Sequence, residues 1–379
     1  MPPSHTPTMK DVAARAGVSL GTVSKVINHI TVGEKNREKV EKAIKELGYE
    51  VNTYARGLKT QETKLITLIV PDTMNPFFAA FTQYVEKALY EHGYKLILCC
   101  ANGIPEKEIG YLNLASQSKT DGIIALTYTD VSSAIPARIP LVSFDRYFEN
   151  HDVPMIASDN FQGGYAGTKK LLELGCHHPV FIRFRSKFPG EADKRMEGYL
   201  SACQELGIQP DYLDQIDAIE ERRALENFIQ EHTDSHGALT FDGVFANTDR
   251  HAYLVMKILK ERGFRIPEDV QILGFDGIRK YGIDESSLFV SSMCQPIEEL
   301  ARLCVETLLK KRQGTVVPTL SLLSVTYGME VPPGENLKNL FLAFQEPEAE
   351  KFQFPVLFMQ KLRISFGFHG RIFNVSMFK

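Results

Sequence analysis

The chain has 379 residues, enough for two or three domains. Its hydrophobic share of 44% and charged share of 24% are those of a soluble globular protein, which excludes a disordered or fibrous chain. No apolar run approaches the roughly 20 residues of a membrane span, and the opening MPPSHTPTMK lacks the basic-then-apolar pattern of a secretory signal, so a cytoplasmic protein is expected. The net charge of −4 hides an asymmetry: residues 1–60 hold ten Lys or Arg against six Asp or Glu, a net of +4, which leaves −8 for the remainder and suits a protein that touches phosphate with one end only.

The first elements lie in TMKDVAARAGVSLGTVSKVIN, residues 8–28. Thr8 and Asp11 have capping-box spacing, Gly17 suits a turn of positive φ, and Ser19 can cap a second short helix. On that helix Val23, Val26 and Ile27 face inward by their i, i+3, i+4 spacing. Polar or small residues remain on the other faces. The pattern is that of a helix-turn-helix, whose second helix enters a major groove; the plainer alternative is a helical hairpin that only packs. Next comes NREKVEKAIKELGY, with Val40, Ala43, Ile44 and Leu47 on one stripe and Gly48 as stop. VNTYARGLKT and a strand-like LITLIV follow.

The phrases KDVAARAGVS, TVSKVIN, REKVEKAIKELGY and ARGLK, in this order, resemble the LacI/GalR family of bacterial transcription regulators. The resemblance runs from residue 8 to about 328 and is close over the first sixty.

From Lys64 onward, strands and helices alternate. LITLIVPD, KLILCCAN, DGIIALTY, PLVSFDR, MIASDN, PVFIRFR, DGVFANTD and VQILGFDG read as buried strands, which implies parallel sheets covered by helices on both faces. There are too many strands for one sheet, so two similar lobes with a ligand cleft between them are expected. Ligands of such sheets sit beyond the carboxyl ends of the strands, where this chain places Asp72, Asp145-Arg146, Asp159-Asn160, Asn247 to Asp249 and Asp276. The expected fold is therefore an all-α helix-turn-helix head followed by a two-lobed α/β domain that looks like the periplasmic sugar-binding fold. The expected boundaries are 1–50 for the head, 51–61 for a hinge helix and linker, and 62–330 for the effector-binding and dimerisation domain. By resemblance the chain crosses between lobes three times, with lobe 1 at about 62–160 and 292–320 and lobe 2 at about 161–291 and 321–330.

By resemblance, Leu20 and Gly21 stand where family members choose their operator. Lys25 beside them can donate to guanine O6 or N7. Thr8, Ser19, Thr22, Ser24, Asn28, Asn36 and Tyr49 are expected near the DNA, mostly as phosphate ligands. Asn52 to Leu58 matches the family's hinge helix, with Asn52 at its start, Ala55 packing helix on helix, Arg56 near phosphate and Leu58 wedged into a minor-groove base step. So short a helix is marginal alone and can fold on DNA, which makes it a plausible switch. The family often has proline at the position of Val51.

For the cleft, the resemblance implies Asp72, Phe77, Asp145, Arg146, Arg195, Asp249, Asp276 and Gln295, a mix of carboxylates, arginines, an amide and an aromatic face suited to a sugar. For each aspartate, a helix cap or strand-end salt bridge is the alternative. The six cysteines form no CxxC pair and read as reduced structural thiols. No Gly-rich phosphate loop, GxSxG or HExxH is present, so no catalytic site, cofactor or metal is expected.

The resemblance fades after Tyr327-Gly328. Nine of the 24 phenylalanines fall within residues 335–379, and this segment, 331–379, stays unassigned: it reads as an extra packed element, an interaction tail or the product of a shifted reading frame near Met329. The function expected is a homodimeric, DNA-binding repressor of a carbohydrate operon, with double-stranded operator DNA and a small sugar effector as partners and no membrane. Control by a protein corepressor or a purine, a sugar-binding protein without DNA function, and an enzyme built on the same fold are the alternatives.

Overall fold

The computed structural model describes residues 7–28, 30–50, 62–127, 129–148, 152–186, 188–216, 220–280 and 284–329, and the two strands 364–368 and 371–375. The chain divides into two units, Met1–Met329 and Glu330–Lys379. The hinge residues Asn52, Ala55, Arg56 and Leu58 lie outside the described residues.

In the head, α1 (Met9–Ala16) starts at Thr8, whose backbone N–H donates to Asp11 Oδ2 at 2.8 Å while its Oγ1 accepts from the Asp11 N–H at 3.4 Å. Gly17, at φ 63, ends the helix and turns the chain. Ser19 Oγ accepts from Thr22 N at 3.1 Å and opens α2 (Leu20–Ile27). α3 (Glu34–Leu47) ends at Gly48, φ 60. Val12, Ala13, Val23, Val26, Val40 and Ala43 interlock as the core of these three helices, each buried valine contributing about 1.5–3 kcal/mol. The Arg15–Glu46 pair that ties α1 to α3 at 2.6 Å is half exposed and adds little, about 0–1 kcal/mol.

The body contains two six-stranded sheets. The first uses β1 (Leu65–Val70), β2 (Lys95–Cys100), β3 (Gly122–Ala125), β4 (Leu141–Phe144) and β5 (Met155–Ser158). Helices α4 (Pro76–Glu91) and α5 (Pro105–Gln117) connect β1 to β2 and β2 to β3. After β5 the chain enters α6 (Asn160–Glu173), then β6 (Pro179–Arg185), α7 (Lys194–Leu206), β7 (Asp211–Ile216), α8 (Glu221–Glu231), β8 (Gly243–Ala246), α9 (Asp249–Glu261) and β9 (Gln271–Asp276). A short pair, β10 (Arg279–Lys280) and β11 (Asp284–Leu288), precedes β12 (Ser292–Cys294), α10 (Ile297–Arg312), β13 (Leu320–Leu323) and β14 (Thr326–Gly328). The sheet orders are β13-β5-β4-β3-β1-β2 and β14-β12-β9-β8-β6-β7. All pairings in them are parallel except β14 with β12.

Alternation explains why both sheets are buried on two sides. Ile66, Leu68 and Val70 of β1 face α4 and α10, whereas Ile69 joins Ile123 and Ala125 on the α5 side. In the second sheet Val180, Ile182 and Val244 pack with the α8 and α9 side chains, and Phe181, Phe245 and Phe275 pack on the α6 and α7 side. There α6 and α7 touch through glycine: a Cβ on Gly164 would sit 2.1 Å from the Arg195 carbonyl oxygen, and one on Gly198 2.2 Å from that of Phe161.

Two lobe assignments are corrected. Residues 292–294, expected in lobe 1, pair with β9 and β14 in the second sheet, and residues 320–323 pair with β5 in the first. The chain therefore crosses after Ser158, after Cys294 and after Leu323. Of the tail, Ile364–Phe368 (β15) and Arg371–Val375 (β16) form an antiparallel hairpin.

Candidate functional site

The carboxyl ends of strands from both sheets face one cleft of about 980 Å³. Seven of the eight residues expected there line it: Asp72, Phe77, Asp145, Arg146, Arg195, Asp276 and Gln295. At its floor, next to the crossovers, Asp145, Arg195, Asp276 and Gln295 join in a polar network. Arg195, the second residue of α7, donates from Nε to Asn160 Oδ1 at 2.7 Å and from Nη1 to the Asn247 carbonyl at 2.6 Å. Its guanidinium lies 3.7 Å from the centre of the Phe275 ring, and Nη1 is 3.6 Å from Asp276 Oδ1. Asn160 Nδ2 donates to Asp145 Oδ1 at 3.2 Å. Gln295 donates from Nε2 to Asp276 Oδ1 at 2.8 Å and accepts from Ser158 Oγ at 2.7 Å. Asn160 and Gln295 sit on the crossovers themselves, so the chain passes between lobes through this network.

Asp145, just after β4, and Asp276, the last residue of β9, have φ 57 and φ 133. Such backbone costs on the order of 1–3 kcal/mol per residue and clusters at ligand sites. Arg146 Nη1 reaches across to the Pro189 carbonyl at 2.8 Å. Asp72 accepts from Met74 N and Asn75 N, both at 2.8 Å, and shapes the turn into α4. Phe77 is buried and stacks on Phe144 at 6.1 Å between centroids, presenting an apolar wall.

Asp249 is the correction. It is absent from the cleft lining, because its carboxylate turns away to accept from Ile278 N at 2.6 Å and Ser292 Oγ at 2.5 Å, fastening α9 to the loop after β9. Thr127, Asn247, Phe188, Glu221, Arg250 and His251 line the cleft as well, and of these only Asn247 was expected at a ligand-facing strand end. Asn247 stands at a polar strand end, which was a usable signal; the others carry no motif. Thr127 Oγ1 and Asn247 Oδ1 are buried and have no hydrogen-bond partner among the described residues. A buried polar atom left unpaired costs about 1–3 kcal/mol, and these two line the cleft from opposite lobes.

Burial pushes the Asp145 carboxyl up to about 7 against the opposing Arg195 charge. Burial also raises the Asp276 carboxyl, with Arg195 opposing and the Asp249 charge adding to it, and it raises the Asp249 carboxyl against the Ser292 hydroxyl, two backbone N–H groups and Arg195. One guanidinium thus serves three buried carboxyls. A carboxyl raised in the folded state keeps protons that the unfolded chain releases near pH 4, so its stabilising effect is complete at low pH and is lost as pH rises through about 7. The melting temperature of the ligand-free protein is expected to fall between pH 5.5 and 8 in scanning calorimetry. A rise over that window would contradict this charge arrangement.

On the head, Thr8, Ser19, Leu20, Gly21, Lys25 and Asn36 are exposed, and Thr22, Ser24, Asn28 and Tyr49 are half-buried. Ser19 and Thr8 are partly used as caps, and Asn28 Nδ2 donates back to the Ser24 carbonyl at 2.7 Å. Among the described residues, no helix is long and apolar enough to cross a membrane.

Residues 8–52 match the family model of bacterial regulatory proteins of the lacI family, and residues 63–302 match that of periplasmic binding proteins and the sugar-binding domain of the LacI family. The chain is 33% identical over 305 residues to the sucrose operon repressor of Streptococcus mutans, covering 80% of this chain and 92% of that protein. It is 35% identical over 327 residues to the ribose operon repressor of Halalkalibacterium halodurans, covering 86% and 94%. A crystal structure of a periplasmic binding protein/LacI transcriptional regulator from Alkaliphilus metalliredigens, complexed with D-xylulofuranose, superposes with a TM-score of 0.61 at 29% identity, over 70% of this chain and 98% of that one. With a helix-turn-helix head, two parallel-sheet lobes and a match on both family models, the chain belongs to the LacI family of bacterial regulatory proteins.

Proposed function

We propose that the protein is a cytoplasmic, homodimeric transcription regulator that represses a carbohydrate-utilisation operon and responds to a small sugar in its cleft. The observation that carries the effector half is the pair of orphaned buried atoms, Thr127 Oγ1 and Asn247 Oδ1, one from each lobe. A polyhydroxylated ligand would satisfy both at once and would favour the arrangement of the lobes in which both are in reach. Differential binding of this kind shifts a two-state equilibrium, typically by about 1–3 kcal/mol. The DNA half rests on the exposed face of α2, where Leu20, Gly21 and Lys25 stand clear of the head's core, and on the family's hinge pattern at residues 52–58. Relatives named as sucrose and ribose operon repressors support a sugar as effector and regulation as the role, in preference to catalysis.

The test is capture of genomic fragments by the purified protein at fixed, low salt, since phosphate contacts make affinity salt-dependent. The captured fragments are then challenged with a panel of sugars and purines. The expected result is a near-palindromic site from which one sugar displaces the protein. Absence of any enriched site would remove the regulator reading; an enriched site indifferent to every sugar would remove the effector reading alone.

A further inference from the structure

The strand ends fix the length of the cleft. Its lining comes from the ends of β4, β3, β1 and β2 in the first sheet, and in the second from β9, β8 and β6 and the start of α8 just after β7. Neighbouring strands lie about 4.8 Å apart, so the cleft runs roughly 14 Å along each sheet. Its volume of about 980 Å³ is at the upper end for a small-molecule site, about 300–1,000 Å³.

Polar groups of the second lobe fall at two ends of this length. The floor network around Arg195 and Asp276 occupies the β9 end. Toward β6 and β7 lies a second cluster. Glu221 Oε2 is 2.6 Å from Arg250 Nη1, and Glu221 Oε1 is 3.5 Å from His251 Nε2. His251 Nδ1 shares a hydrogen bond with Thr248 Oγ1 at 2.8 Å, and its ring packs on Phe184 at 5.0 Å. The bond to His251, ahead of the pairing with Arg250, holds the Glu221 carboxyl below its ordinary range. A carboxylate beside a guanidinium offers an acceptor and a donor to adjacent hydroxyls. Three of the four lining arginines already sit on carboxylates, Arg185 on Asp214, Arg195 on Asp276 and Arg250 on Glu221. That pairing favours a neutral ligand over a phosphorylated one.

We propose that Glu221, Arg250 and His251 form a second subsite, which holds the second ring of a neutral disaccharide whose first ring lies over Arg195 and Asp276. This rests on the sugar-effector reading above. The experiment is calorimetric titration of the full chain with sucrose, cellobiose and maltose, and with glucose and fructose as their components. At least one disaccharide is expected to bind about tenfold or more tighter than either of its component sugars. Glu221→Ala should weaken that disaccharide by about fivefold more than it weakens the monosaccharide. Arg250→Ala is a second variant, made at a side chain 57% exposed, and it should act in the same direction. A monosaccharide that binds as tightly as every disaccharide, or variants that weaken both sizes equally, would overturn the second subsite and leave the effector reading standing. Binding of none of the five sugars would overturn the second subsite, and the effector reading would fall with it only if the sugar panel above also fails to displace the operator.

Discussion

Arg195→Met loses effector binding and melts on the order of 10 °C lower at pH 8. Methionine keeps much of the volume over the Phe275 ring but removes the positive charge that Asp145, Asp249 and Asp276 share. Arg195 is 3% exposed, so water does not replace what is lost. Removing one partner of a buried pair costs about 3–5 kcal/mol because the other is left uncompensated. The Asn160 side-chain oxygen and the Asn247 carbonyl lose their donors as well. The deficit has a pH signature. Without the guanidinium the three carboxyls hold protons more tightly still, and protonated carboxyls need no counter-charge. The gap in melting temperature between Arg195→Met and the parent should therefore narrow markedly at pH 5.5. Circular-dichroism melts at the two pH values check this, and an unchanged melting temperature at pH 8 would show that the buried charges do not depend on Arg195.

The second large effect is expected at a residue without a side chain. Gly164→Val puts two methyls where the Cβ alone would lie 2.1 Å from a backbone oxygen of α7. Backbone cannot step aside as a flexible side chain would, so α6 and α7 must separate. Overpacking of a core costs about 1–3 kcal/mol even where side chains can adjust, and more is expected here. The touching oxygen belongs to Arg195, so what remains folded should also lose its ligand. The control is Gly110→Ala, on the exposed face of α5, where an added Cβ meets nothing within 4 Å; it should stabilise by about 0.5–1 kcal/mol. Soluble yield, melting temperature and sugar affinity separate the two. Equal behaviour of the variants would mean that the α6–α7 contact has slack that its geometry does not show.

What could be read in advance follows the range of the interactions involved. The caps at Thr8 and Ser19 and the stops at Gly17 and Gly48 depend on residues within one turn, and all four are in place. The strand pattern was legible because a strand buried on two faces is apolar at nearly every position, as Leu65–Val70 is except at Thr67. Arg195 and Asp276 came from resemblance to a family, and the structure brings both to the cleft floor. Asp249 could not be resolved from sequence, since its orientation is decided by Ile278 and Ser292, 29 and 43 residues away. For the same reason β12 and β13 were given to the wrong lobes: a three- or four-residue strand holds no sign of the sheet it will join. Thr127 and Glu221 escaped because a hydroxyl or carboxylate at a strand or helix end is common, and only the opposite lobe makes it a wall of a site.

The way the two sheets share the last forty residues of the body bears on synthesis of the chain. Ile297, Leu300, Ala301, Cys304, Val305 and Leu308 of α10 complete the core that covers Ile66, Leu68 and Val70, and β13 closes the edge of the same sheet beside β5. The lobe that begins first on the ribosome thus receives its missing helix only after nearly all of the other has been made. During that interval an apolar sheet face and an open edge stand uncovered, the condition under which nascent chains associate. Only β14, the edge strand of the second sheet, is made later, and a break in translation before residue 297 would leave the N-terminal lobe without α10.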